Sequence, residues 1–156
     1  MKNGKACGLL FNERVKKEVR RLRHADSEKL AQLAENIKNK RISWFKQQNI
    51  APEADAPLDA AYQLFLKKLD ISAEEAPVVV RQKNRLVIHS RNCCPTLEAC
   101  KILGRDTREI CRQLTEGPTQ ALLQQINPKL RFTRNYNALR PYTPYCEEMI
   151  ILANKP

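Results

Sequence analysis

Between Asn12 and His24 the apolar residues are Val15, Val19 and Leu22, at i, i+4 and i+7, and every other position is polar or charged. That spacing predicts a helix with a narrow apolar stripe and strongly basic remaining faces. A second helix is predicted from Asp26 or Ser27, both good N-cap residues, through Leu30, Leu33, Ile37 and Trp44 to an end near Ile50. The segment A-P-E-A-D-A-P breaks the pattern with two prolines. After it Leu58, Ala61, Tyr62, Phe65, Leu66 and Leu69 fall on one helical stripe.

The period then changes. Val78-Val79-Val80 and Leu86-Val87-Ile88 are β-branched and aliphatic runs around R-Q-K-N-R, which predicts a hairpin turning near Lys83 and Asn84. Three short helices follow: Pro95 to Leu103, stopped by Gly104; Asp106 to Glu116, with Asp106 and Glu109 in capping-box spacing; and Pro118 to Ile126, with proline in the first turn. The runs K-L-R-F-T-R-N-Y and Y-C-E-E-M-I-I-L return the chain to extended structure. The elements sum to an α+β fold, a small antiparallel sheet packed with helices and preceded by a basic helical arm. The arm is residues 1–50, the connector 51–57, and the α+β cysteine-containing domain 58–156.

Charge sharpens that division. Residues 1–50 hold 13 basic and 5 acidic side chains, so +8 of the chain's net +11 sits in its first third. Such an excess points to an acidic partner, a nucleic acid or an acidic protein, met by Lys16, Lys17, Arg20, Arg21 and Arg23. Aromatic residues are not interleaved with these, which argues against a single-strand reader. No run approaches the ~20 apolar residues of a membrane span, and the opening M-K-N-G-K-A-C-G-L-L-F is too short in its apolar run for a signal peptide. The expected location is cytoplasmic, where six cysteines are expected to be free, metal-bound or redox-active. The four glycines form no phosphate-loop or dinucleotide pattern.

Three of the six cysteines lie within R-N-C-C-P-T-L-E-A-C, residues 91–100. Pro95 suits the first position of a helix, which makes Cys94 its N-cap, with a sulfur near unpaired N–H groups and the positive end of the helix dipole. A thiolate is favoured there and serves as nucleophile, redox centre or metal ligand. Cys94 and Cys100 are separated by about 9 Å along a helix, too far for one zinc. An iron–sulfur cluster held by Cys94, Cys100, Cys111 and Cys146 is one alternative, and zinc on Cys94, Cys111 and Cys146 with Glu147 or Glu148 is the other. The bland alternative is that the cysteines are small apolar fillers.

The run C-P-T-L-E-A-C, the cysteine at 111, P-K-L-R-F-T-R-N-Y and Y-C-E-E-M-I resemble the C-terminal portion of 4-vinyl-reductase-type small-molecule-binding domains. Residues 93–152 are similar also to 2-amino-thiazoline-carboxylate hydrolase-like proteins, with their C-P-x-x-E-A element, later cysteine, P-x-L-x-F-x-R strand and final cysteine. The resemblance implies that Cys94, Cys111 and Cys146 converge and that Arg134 lies on a strand beside a pocket. Where such domains commonly carry a Gly-Asp turn before the last cysteine, this chain has R-P-Y-T-P-Y.

Two further groups bear on chemistry. His89 precedes Cys94 by five residues and is a candidate base for it, which would make a thiol-dependent hydrolase. Arg134, Tyr136 and Arg140, with Arg131, Tyr142 and Tyr145 nearby, are candidates for holding a carboxylate or phosphate. The leading expectation is a metal- or iron–sulfur-binding accessory or sensor domain with clustered thiolates and a small-molecule pocket. A hydrolase with Cys94 as nucleophile and a nucleic-acid-binding protein are the alternatives.

Overall fold

The computed structural model describes residues 7–51 and 55–154. Residues 1–6 of the expected arm, 52–54 of the expected connector, and 155–156 lie outside the described residues. In chain order the elements are α1 (Leu9–Leu22), α2 (Ser27–Lys46), α3 (Pro57–Leu69), β1 (Val78–Gln82), β2 (Arg85–Ser90), α4 (Pro95–Leu103), α5 (Thr107–Cys111), a π turn (Arg112–Glu116), α6 (Gly117–Leu123), β3 (Leu130–Arg134) and β4 (Cys146–Leu152). The fold is α+β. Its four strands form one antiparallel sheet in the order β1-β2-β4-β3.

Local signals account for most boundaries. Asp26 caps α2, its carboxylate accepting from the Lys29 N–H at 2.8 Å. Pro95 opens α4 with Cys94 at the N-cap, and Gly104 ends it at φ +65°, a left-handed conformation that costs glycine little. Asp106 caps α5, accepting from Arg108 N–H, but the capping box is not reciprocal because Glu109 instead pairs with Arg105.

The register sorts the side chains. Leu86, Ile88 and Ser90 on β2 stand beside Ile150, Glu148 and Cys146 on β4, which stand beside Phe132 and Arg134 on β3. Because side chains alternate along a strand, all of these share one face. Phe132, Leu130, Ile150, Leu86 and Ile88 are buried there against Tyr62, Phe65 and Leu66 of α3 and Leu122 and Leu123 of α6. The same face turns polar at its other end, where Ser90, Cys146, Glu148 and Arg134 gather.

The basic segment is packed onto the body. Val15, Val19 and Leu22 of α1 bury against Ala99 and Cys100 of α4 and Ile110 and Leu114 in a second apolar cluster, and α2 lies along the π turn and α6. Arg105 fastens the α1–α2 turn by donating to the carbonyls of Leu22 and Ala25 at 3.1 and 2.7 Å. Where free, metal-bound or redox-active cysteines are expected, Cys7 and Cys93 are joined in a disulfide that ties the start of α1 to the loop before α4.

The expected break between helices at Gly117-Pro118 is absent, and the chain runs helically from Thr107 to Leu123. Proline inside a helix lacks an N–H and crowds the carbonyl four residues back. The wider π turn precedes Pro118, and two hydroxyls reach backbone carbonyls here: Thr115 Oγ1 donates to Cys111 O at 3.1 Å and Thr119 Oγ1 to Thr115 O at 2.7 Å. Among the described residues no helix is long and apolar enough to cross a membrane.

Candidate functional site

The polar end of the helix-covered sheet face is built around one enclosed ion pair. Arg134 Nε donates to Glu148 Oε1 at 3.2 Å, Ser90 Oγ donates to Glu148 Oε2 at 2.8 Å, and the Arg134 and Glu148 side chains are 9% and 6% exposed. Burial pulls against the Arg134 charge, but Glu148, followed by Cys111, Tyr136 and Cys146, more than offsets it and holds the guanidinium above its ordinary pKa. The β3–β4 register makes the pair, because Arg134 lies directly opposite Glu148.

The π turn supplies the opposite wall. Arg134 Nη1 donates to Thr115 Oγ1 at 2.8 Å, and Arg41 Nη1 of α2 donates to Thr119 Oγ1 at 2.6 Å. Thr115 and Thr119 are four residues apart on one helical face, so neighbouring hydroxyls receive the two arginines. Burial, then the neighbouring Arg134 and Arg21, draws the Arg41 pKa down to about 10. Arg21 is neutralised by Glu18, whose two oxygens each accept from Arg21 Nη2 at 2.7 Å, and Thr96 at the start of α4 adds a 3.3 Å bond to Glu18. Arg41 has no carboxylate partner among the described residues.

Free thiols complete the arrangement. Cys94, Cys111 and Cys146 lie within electrostatic range of one another, and Arg134 acts on both Cys94 and Cys111. The Cys94 N-cap position is as expected; its ionisation is not. Burial raises the Cys94 thiol above its ordinary pKa, against the opposing pull of the Leu97 N–H, Arg140 and Arg134. Desolvation thus outweighs the helix terminus that predicts a lowered value. Burial likewise pushes Cys111 up to about 12.

Several expected site residues are placed elsewhere. Cys100 is sealed in the α1–α4 apolar cluster at 1% exposure, with burial raising its thiol to about 12, so it stands as core although Cys94 and Cys111 are within its electrostatic range. His89 and Glu147 face the opposite side of the sheet from Cys146, because they occupy the alternate register positions. There His89 Nε2 meets Glu147 Oε2 at 2.9 Å, Asn135 donates to the other oxygen, and the imidazole stacks on Tyr145 at 3.9 Å. A Cys94–His89 catalytic pair is therefore not assembled, and Glu147 and Glu148 already have other partners. Among the described residues no group of three or more His, Cys, Asp and Glu side chains is arranged to hold a metal.

Of the expected ligand-binding residues, Arg134 stands in the site and the other two border it. Tyr136 lies within electrostatic range of Arg134 and Cys111, donates to Glu116 and carries Arg112 over its ring at 4.2 Å. Arg140 acts on Cys94 and donates from Nε to Cys146 Sγ at 3.3 Å, while Nη1 is held on Asn92 O at 2.7 Å. In the basic helix Lys16, Lys17, Arg20 and Arg23 are exposed, whereas Arg21 turns inward to Glu18. Arg41, Thr115 and Thr119 are site residues that sequence reasoning missed. A cation in a helix and two threonines near a proline carry no pattern until the helices are packed.

Cys94, Cys111, Cys146, Arg134 and Arg41 are each partly exposed. They lie where α2, the start of α4, the π turn and the polar end of the sheet meet. No protein-family model matches the chain, and no curated protein or solved structure matches it. Its function is argued from this geometry.

Proposed function

We propose that the protein is a small-molecule-binding domain whose crevice presents the thiols of Cys94 and Cys111, with Cys146 beside them, to a bound ligand. The observation that carries this reading is the gathering of three free sulfurs around Arg134 where the covered sheet face changes from apolar to polar. A few fixed polar groups beside an apolar wall are the usual composition of a small-molecule site. Binding is favoured over hydrolysis because burial works against the Cys94 thiolate and His89 is on the other face. Alkylation of the native protein with iodoacetamide, mapped by peptide mass, tests it. Cys94 and Cys111 should label before unfolding while Cys100 stays silent until unfolding, and equal silence of all three would remove the crevice.

A soft metal on Cys94, Cys111 and Cys146 is the second reading, favoured by the electrostatic range these three sulfurs share. It needs a fourth donor, and among the described residues no group of three or more His, Cys, Asp and Glu side chains is arranged to hold a metal. Stoichiometric zinc or iron in anaerobically purified protein would put this reading first.

A further inference from the structure

We propose that Arg41, with Arg134 and Arg21 beside it, seats an oxyanion carried by the ligand of the thiol crevice. The inference rests on the reading of that crevice as a ligand site and adds the chemical class of what enters it. Arg134 and Arg21 act on Arg41, which acts in turn on Lys68, while the carboxylates paired with these arginines are two: Glu148 on Arg134 and Glu18 on Arg21. The positive charge left over includes that of Arg41. A guanidinium carries five N–H donors, and among the described residues Thr119 Oγ1 is the acceptor that Arg41 finds. The nearby Arg21 Nε is sealed with no acceptor at all among the described residues, so this region is short of negative groups as well as of hydrogen-bond acceptors.

Both threonine hydroxyls are oriented for the task. Each donates to a backbone carbonyl in its own helix, so each can only accept from an arginine, and the two arginines are bonded to hydroxyls one helical turn apart. Guanidinium forks bonded to neighbouring hydroxyls can share the oxygens of a carboxylate or phosphate between them. Without an anion the arrangement works against the fold, because a desolvated cation lacking a counter-charge is destabilising. A residue that contradicts the packing logic around it marks a functional position more often than an accident. The uncompensated positive charge favours a carboxylate, a phosphate or a sulfate.

Paired alkylation rates test the seat. Iodoacetate and iodoacetamide differ in charge, and each is attacked by a thiolate that forms a C–S bond and expels iodide. In the wild-type chain iodoacetate should label Cys94 or Cys111 with saturable kinetics, slowed by acetate or inorganic phosphate, while iodoacetamide shows no saturation. Arg41→Gln should lower the iodoacetate-to-iodoacetamide rate ratio by about tenfold, the worth of one charge-assisted hydrogen bond. Arg41→Lys should fall between. Competition by acetate alone identifies a carboxylate seat, and competition by phosphate alone a phosphate seat. An unchanged ratio in Arg41→Gln with no competition by either anion overturns the seat and leaves the thiol crevice standing. If neither reagent reaches these sulfurs in the native chain, the crevice fails and takes the seat with it. Should Arg41→Gln not fold, the wild-type anion competition decides alone.

Discussion

Arg134 and Glu148 face each other across β3 and β4, joined at 3.2 Å and almost wholly enclosed. Removing one charge of such a pair leaves the other buried without compensation. Glu148→Gln should therefore cost about 3–5 kcal/mol in urea unfolding, whereas Arg134→Met with Glu148→Leu together should recover most of that loss. A single-variant cost below about 1 kcal/mol, the range of an exposed pair, would mean that the two strands do not depend on this contact.

The thiols make stability depend on alkaline pH. In the unfolded chain they ionise near about 8.5, whereas in the folded chain burial raises Cys94 and pushes Cys100 and Cys111 up to about 12. The unfolded state therefore loses its protons first. The stability held by these groups is complete below pH ~8.5 and drains as pH climbs towards about 12. Thermal midpoints measured from pH 7 to 11 should fall, and Cys111→Ser should fall less steeply than wild type. Iodoacetamide labelling of Cys94 should rise about tenfold per pH unit up to pH 9 without a plateau; a plateau near neutrality would return the residue to the role of activated nucleophile.

The Cys7–Cys93 link joins residues 86 apart and holds the first turn of α1, where Leu9 and Leu10 are 85% and 79% exposed. Below that turn α1 is fastened by Val15, Val19 and Leu22. Cys7→Ser should cost about 2–4 kcal/mol by freeing the unfolded chain. Amide exchange should quicken over the first turn of α1 and stay slow at Val19 and Leu22. Uniform loss of protection along the helix would show that the link, and not the apolar stripe, holds α1 in place.

Much of the architecture is legible along the chain because its causes are local. The stripe Leu58, Ala61, Tyr62, Phe65, the cap at Asp26 and the punctuation at Pro95 and Gly104 act within a few residues, and each appears where its spacing places it. The failures share a cause as well. Pro118 is a helix starter when taken alone, yet the chain runs helically through it, with a wider π turn directly before it. Cys94 is a helix N-cap in both accounts, but its ionisation depends on how much protein surrounds it, and that depends on α1, α2 and the sheet.

The site divides in the same way. Sequence alone determined the α+β class, the helical and strand segments, the concentration of basic charge in the first third, and Cys94 and Arg134 as residues of interest. Tertiary structure decided that Cys100 belongs to the core, that His89 and Glu147 face away from Cys146, and that Arg41 stands near Arg134 without a carboxylate of its own. Hydrogen bonds and capping act over one turn and leave a trace in residue spacing. Burial, strand register and the balance of charge at the site are set by residues on different elements, such as Arg41 against Thr119 or Ser90 against Glu148, and no spacing rule records those pairings.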